Sequence, residues 1–149
     1  MRAVVQRVLH GRVETSGQII SEIGRGLLVY LSVGRGDTIN DAQFIAEKLV
    51  NLRIFSDENG KMNRSVLDEK GAVLLISNFT LHGDCRKGRR PAFDAAAEPQ
   101  LAEKLYETVS DLITQRGVEV RKGIFAAHMH VSSINDGPVT VLLDSSKLF

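Results

Sequence analysis

The sequence predicts an α/β or α+β domain in which a mixed β-sheet carries two main helices on one side. Three observations carry this. Two apolar runs, residues 27–33 and 72–77, are continuous rather than alternating, as in strands covered on both faces. Two stretches, after Thr38 and after Pro99, repeat their apolar residues at the helical period. Turn-forming pairs and clusters separate these segments along the chain.

Residues 2–9 are rich in Val and read as a first strand. Residues 12–15 and 18–23 flank Ser16-Gly17 and read as a hairpin. Gly24 and Gly26 punctuate before the buried strand 27–33. Thr38, with Asp41 three residues on, offers a helix start, and Ala42, Ile45, Ala46 and Leu49 form its apolar stripe. Residues 53–56 are a short strand ended by Asp57-Glu58-Asn59-Gly60. Residues 72–77 form the second buried strand. Pro99 opens a second helix with the stripe Leu101, Leu105, Val109, Leu112 and Ile113, and Gly117 stops it just past Arg116. Residues 118–120, 128–132 and 139–143 complete the strands. The apolar strand edges suggest a self-associating surface.

Length and composition narrow the class. The 149 residues, without linker or repeat, read as one domain spanning 1–149; 43% are hydrophobic, and 19 basic residues against 18 acidic ones leave a net charge of +1. That balance excludes a disordered chain and a general basic coat, while leaving room for a local patch. Cys85 is alone, so no disulfide forms within the chain. No apolar stretch approaches the ~20 residues of a membrane-spanning helix. Arg7 interrupts what would be the apolar core of a secretory signal, so a cytoplasmic location is expected.

Four segments could carry chemistry. Ser77-Asn78-Phe79-Thr80-Leu81 ends a buried strand and runs into His82. On a continuing strand Thr80 and His82 would share a face, but ~7 Å separates such positions along the backbone, too far for a nucleophile and its base. A strand end satisfying its own backbone is the plain alternative. Arg86-Lys87-Gly88-Arg89-Arg90-Pro91 places four cations within five residues, a loop suited to phosphate or RNA. Asn135-Asp136-Gly137-Pro138-Val139-Thr140 joins two strands, either as an ordinary turn or as a rigid Gly-Pro element with aimed carbonyls. His128-Met129-His130 sets two imidazoles on one strand face, but the other histidines are scattered and no metal is expected. Phe125 and Met129 could line an apolar pocket for a ring, or simply pack the core. No phosphate-binding or dinucleotide fingerprint is present, and no cofactor is expected.

At these same residues the whole chain resembles the D-aminoacyl-tRNA (D-tyrosyl-tRNA) deacylases. Ser77-Asn78-Phe79-Thr80-Leu81 is similar to the family's Ser-Gln-Phe-Thr-Leu, and residues 135–140 match its Asn-x-Gly-Pro-x-Thr. Residues 1–8, 51–55, 60–63 and 87–91 share the likeness. The resemblance implies a strongly curved, barrel-like sheet in a homodimer. It implies a hydrolase that cleaves the ester of D-aminoacyl-tRNA, or of mischarged glycyl-tRNA, and needs neither cofactor nor membrane. Gly137 and Pro138, held cis, would enter the partner subunit's pocket as a chiral gate that blocks L-side chains. Backbone N–H groups near Phe79 and Thr80 would hold the oxyanion, with Ser77 and Asn78 beside them. Phe125, Met129, Asn135, Thr140, Arg86, Lys87, Arg89 and Arg90 would contact substrate or tRNA.

Thr80 is then either the nucleophile or a bystander to attack assisted by the ribose 2′-hydroxyl. The sequence favours the second, because no base for Thr80 is evident. Asn78 stands where Gln is usual and reaches one methylene less far. His128 and His130 replace a more usual Asp and Gln, and Cys85 a more usual Thr. Two other readings stay open: a related deacylase of relaxed chirality with a trans Gly-Pro, and an RNA-binding homologue without hydrolysis.

Overall fold

A computed structural model describes residues 1–148. The sheet is organised by its first strand. β1 (Arg2–Thr15) unites the expected strand 2–9 with the first arm of the hairpin. β2 (Gln18–Ile23) folds back on it through Ser16 and Gly17, at φ 49° and 76°. Two consecutive positive φ values give the turn whose twist matches a hairpin.

β3 (Gly26–Ser32) runs antiparallel to β1 and parallel to β4, the strand Ala72–Ser77, which in turn lies parallel to β5 (Glu119–Lys122). The last strand, β6 (His130–Asp144), pairs antiparallel along the opposite edge of β1, from Arg2 against Asp144 to Glu14 against His130. Because β6 occupies one edge throughout, β3 (on residues 2–8) and β2 (on residues 11–15) share the other. Gly11 sits where β1 passes between them; a Cβ there would lie 3.3 Å from Leu74. The Ser21 hydroxyl donates to the Lys122 carbonyl at 2.7 Å, tying β2 to β5 and nearly closing the sheet on itself. A separate small hairpin, Phe55–Ser56 with Met62–Arg64, spans the turn at residues 57–60.

The two helices form where the sequence places them. α1 (Ile39–Asn51) begins at Thr38, whose N–H and hydroxyl both donate to Asp41, at 2.8 and 2.9 Å. α2 (Pro99–Gln115) ends at Arg116. Gly117, at φ 87°, donates to the Thr114 carbonyl, and Val118 donates to that of Ile113. This pair of bonds is the Schellman stop. Leu101, in the first turn, stays at the surface at 36% exposure and Leu112 is only partly buried, while Tyr106 and Ser110 join Leu105, Val109 and Ile113 on the buried face.

The core has two parts. Val29, Leu31, Val73 and Leu75 pack with Ile45, Leu49, Val109 and Ile113 of the helices; Leu28, Leu74 and Ile76 pack with Val8, Val13 and Ile23 inside the curved sheet. Alternate residues of β3 and β4 therefore face different cores, which is why their sequences are continuously apolar.

One expectation is corrected. Residues 128–132 and 139–143 are not two strands joined by a turn. The ladder with β1 begins at residue 130 and resumes beyond a bulge, so β6 is a single strand. Gln6 pairs with Thr140 and Val8 with Asn135, so residues 136–139 bulge opposite Arg7 alone. His128, outside the strand, packs its ring edge-on against His130 at 5.2 Å.

Candidate active site

A pocket of about 680 Å³ opens at the C-terminal ends of β3 and β4. Ser32 and Val33 form one wall, Ser77, Asn78, Phe79 and Thr80 another, and Ala97 and Tyr106 line the α2 side. Phe125, His128 and Met129 come from the segment between β5 and β6. Six of the expected site residues thus share this cavity: Ser77, Asn78, Phe79, Thr80, Phe125 and Met129. The Tyr106 hydroxyl donates to the Leu75 carbonyl at 2.8 Å, and its ring lies 6.0 Å from that of Phe125.

After Ser77 the strand gives way to a 3₁₀ turn, Phe79–His82. The first N–H groups of such a turn, here those of Phe79 and Thr80, have no acceptor within it. Three residues per turn also rotate Thr80 and His82 roughly 240° apart. Their side chains separate accordingly. The Thr80 hydroxyl is exposed and donates to Asn78 Oδ1 at 2.5 Å; His82 turns inward, with Nδ1 2.6 Å from Ser32 Oγ. An amide oxygen is no base, so Thr80 has hydrogen-bond company without activation. Burial pushes the His82 imidazole below its usual pKa, and the nearby Arg2 guanidinium adds to this.

Gly137 and Pro138 lie in the β6 bulge, exposed, with a cis peptide between them. Gly137 has φ 133°, and a Cβ there would fall 2.7 Å from Val139 Cγ2. Neighbouring side chains brace the bulge. Asn135 Oδ1 accepts from Val139 N at 3.0 Å and Asn135 Nδ2 donates to Thr140 Oγ1 at 3.0 Å. Arg7 Nε donates to the Asp136 carbonyl at 3.2 Å and pairs with its carboxylate at 3.0 Å, while Nη1 donates to the Ile54 carbonyl at 2.6 Å. Within one chain, Asn135, Gly137, Pro138 and Thr140 are not part of the pocket lining.

The model for D-Tyr-tRNA(Tyr) deacylase matches residues 4–144. The chain is 55% identical over 149 residues to the D-aminoacyl-tRNA deacylase of Fervidobacterium nodosum and 54% identical to that of Thermosipho africanus, with full coverage of both chains in each case. The chain belongs to the D-aminoacyl-tRNA deacylase family. That identity makes it an aminoacyl-tRNA deacylase, an enzyme of the hydrolase class. Among solved structures it is similar to the c-Myc DNA Unwinding Element Binding Protein (TM-score 0.91, 39% identity, 97% of this chain and 98% of that one). A probable eukaryotic D-amino acid tRNA deacylase shares the fold (TM-score 0.84, 16% identity, 95% and 97% coverage).

The deacylase's basic loop lies beside the pocket mouth. Backbone bonds between Asp84 and Ala92 close it, and Phe93 packs edge-on against Phe79, ring centroids 5.1 Å apart. Arg86 is bound to Asp84 at 2.6 Å, and its hydrogen bonds hold that carboxyl far below the usual range. Lys87, Arg89 and Arg90 are exposed and make no ion pair among the described residues. Among these residues there is also no cluster of three or more metal-ligating side chains, and no helix is long and apolar enough to cross a membrane.

Two features of this deacylase escape a sequence reading. The Ser32–His82 contact joins residues 50 apart, and no local pattern announces it. Arg7 did leave a signal: an arginine in the middle of a Val-rich run, and its side chain is only 11% exposed. A buried charge needs partners, and the bulge opposite supplies them.

Proposed function

We propose that this deacylase hydrolyses the ester between a D-amino acid, or glycine, and the terminal adenosine of tRNA, in the cytoplasm and as a homodimer. Water adds to the ester carbonyl, the ribose 2′-hydroxyl assists the attack, and the tetrahedral intermediate expels the ribose oxygen. The N–H groups of Phe79 and Thr80 receive the oxyanion, where preorganised donors contribute most. Ser77 and Asn78 shape the turn that presents them, and Phe125 and Met129 cover a ring of the substrate. Lys87, Arg89 and Arg90, with Arg86 at their edge, meet acceptor-end phosphates.

The observation that carries the chirality reading is the exposed Gly137–Pro138 bulge on β6. The outer edge of this strand has no partner among the described residues, and Ile134 and Leu142 stand exposed on it at 58% and 55%. A second subunit covering that edge would take Gly137 and Pro138 as a wall of its pocket, braced from behind by Asn135, Thr140 and Arg7. Such a wall rejects an L-side chain by collision and asks nothing of a D-side chain or of glycine.

Attack without a protein nucleophile is supported by the Thr80 hydroxyl's bond to an amide oxygen. Thr80→Val is expected to keep substantial turnover, while a substrate whose terminal ribose lacks the 2′-hydroxyl is expected to fail with the unaltered enzyme. An inactive Thr80→Val protein together with full activity on the deoxy substrate would overturn this mechanism.

A further inference from the structure

Ser32, in the pocket wall, and His82 behind it are buried together at 2% and 8% exposure. Ser32 Oγ lies 2.6 Å from His82 Nδ1 and 3.4 Å from the Phe79 carbonyl oxygen. The serine has a single proton to give. One arrangement uses both contacts: Nδ1–H donates to Ser32 Oγ, and the serine O–H donates to the Phe79 carbonyl beside the 3₁₀ turn's own bond from His82 N–H. His82 also lines a second cavity together with Arg2, Gly83 and Cys85, and its Nε2 lies close against Gly34.

A trans peptide is planar, and its C=O and N–H point in opposite directions. The Phe79 carbonyl and the Thr80 N–H belong to the same peptide. Whatever holds that carbonyl therefore aims that N–H. From this geometry we infer that His82 and Ser32 are positioning residues that fix the Phe79–Thr80 peptide, and with it the direction of an oxyanion donor. The inference rests on the proposed oxyanion role of that peptide.

The surroundings suit a neutral imidazole. Burial, Arg2 and the N-terminal ammonium all disfavour its cation, against the opposing charges of Asp37 and Asp144. A neutral ring with a protonated Nδ1 keeps the chain of bonds intact.

The test compares kcat and KM for D-tyrosyl-tRNA in Ser32→Ala, His82→Phe and His82→Asn, with ring ¹⁵N shifts of His82 in the unaltered protein. The asparagine can place an N–H where Nδ1 stands. Loss of a whole oxyanion donor costs about a hundredfold or more in kcat, so a donor left free to turn is expected to cost about tenfold. Ser32→Ala and His82→Phe should show that loss in kcat with KM nearly unchanged, and His82→Asn should recover most of it. The ring shifts should report a protonated Nδ1. A ring protonated at Nε2 alone, unaltered kcat in both disruptive variants, or no rescue by asparagine would each overturn the inference. Replacing Thr80 by its α-hydroxy acid, which deletes the N–H and makes the Phe79 carbonyl a weaker acceptor, separates the two claims. No loss there sinks the oxyanion role itself; a large loss there with unaltered kcat in Ser32→Ala and His82→Phe sinks only the positioning by His82 and Ser32.

Discussion

Arg7→Met should weaken chiral rejection while leaving turnover of the D-substrate largely intact. Arg7 is the single β1 residue facing the four bulged residues 136–139. It holds the Asp136 carbonyl and carboxylate with Nε, and ties the bulge to the Ile54 carbonyl through Nη1 at 2.6 Å. Methionine keeps the apolar stem and removes all of these bonds. Hydrogen bonds to a charged group contribute about 1.5–3 kcal/mol each when buried. Here two of them share one nitrogen, and Asp136 is 32% exposed, so solvent takes over part of the role. A net loss of about 2 kcal/mol in the preference for the braced bulge follows, or about 30-fold in equilibrium terms. The ratio of D-tyrosine to L-tyrosine release from charged tRNA should fall by up to that factor, through faster L-release. Denaturant unfolding run in parallel would confirm that the variant is folded. A folded Arg7→Met protein with an unchanged ratio would refute the bracing argument.

Neutralising Arg89 and Arg90 together should weaken tRNA binding and flatten its dependence on salt. For a single-stranded acceptor end each lost phosphate contact removes about 0.7 from the log–log slope, so the pair should remove about 1.4; titrations at several salt concentrations check this, and an unchanged slope counts against the loop. Asp144→Asn should flatten the acid limb of stability. Burial works to raise the Asp144 pKa, but hydrogen bonds from Ser146 and Arg2, with the N-terminal ammonium nearby, outweigh it and hold the carboxyl below its ordinary value. A depressed carboxylate stabilises the fold above its unfolded pKa of about 3.9 and loses that contribution as pH falls through the lower folded value. The unaltered protein should therefore be the more stable at neutral pH and lose stability more steeply below pH about 4. Parallel acid limbs in the two proteins would contradict this.

Much of the fold is legible because its signals are local. The continuous apolar runs of β3 and β4 announce strands between two cores, and Thr38, Pro99 and Gly117 mark helix ends by backbone chemistry that needs no distant partner. The Ser16-Gly17 hairpin is equally local. What escapes is set by pairing across the chain. β1 and β6 are each longer than their sequence segments suggest, because each continues the other's ladder past interruptions that look like ends. Residues 135–140 read as a turn for that reason, although they interrupt one strand. In the pocket, Ser77 to Thr80 are visible as a polar strand end. The inward turn of His82 is not, since it depends on 3₁₀ geometry and on a serine in another strand. The Asn78–Thr80 bond differs: it joins residues two apart and follows from the geometry of the turn that Asn78 opens.

The most direct test is the release of amino acid from tRNA charged with D-tyrosine and, separately, with L-tyrosine by the purified protein. The expected result is rapid release of D-tyrosine and negligible release of L-tyrosine under the same conditions. Equal release of both would remove the chiral gate, and release of neither would contradict the hydrolytic reading itself.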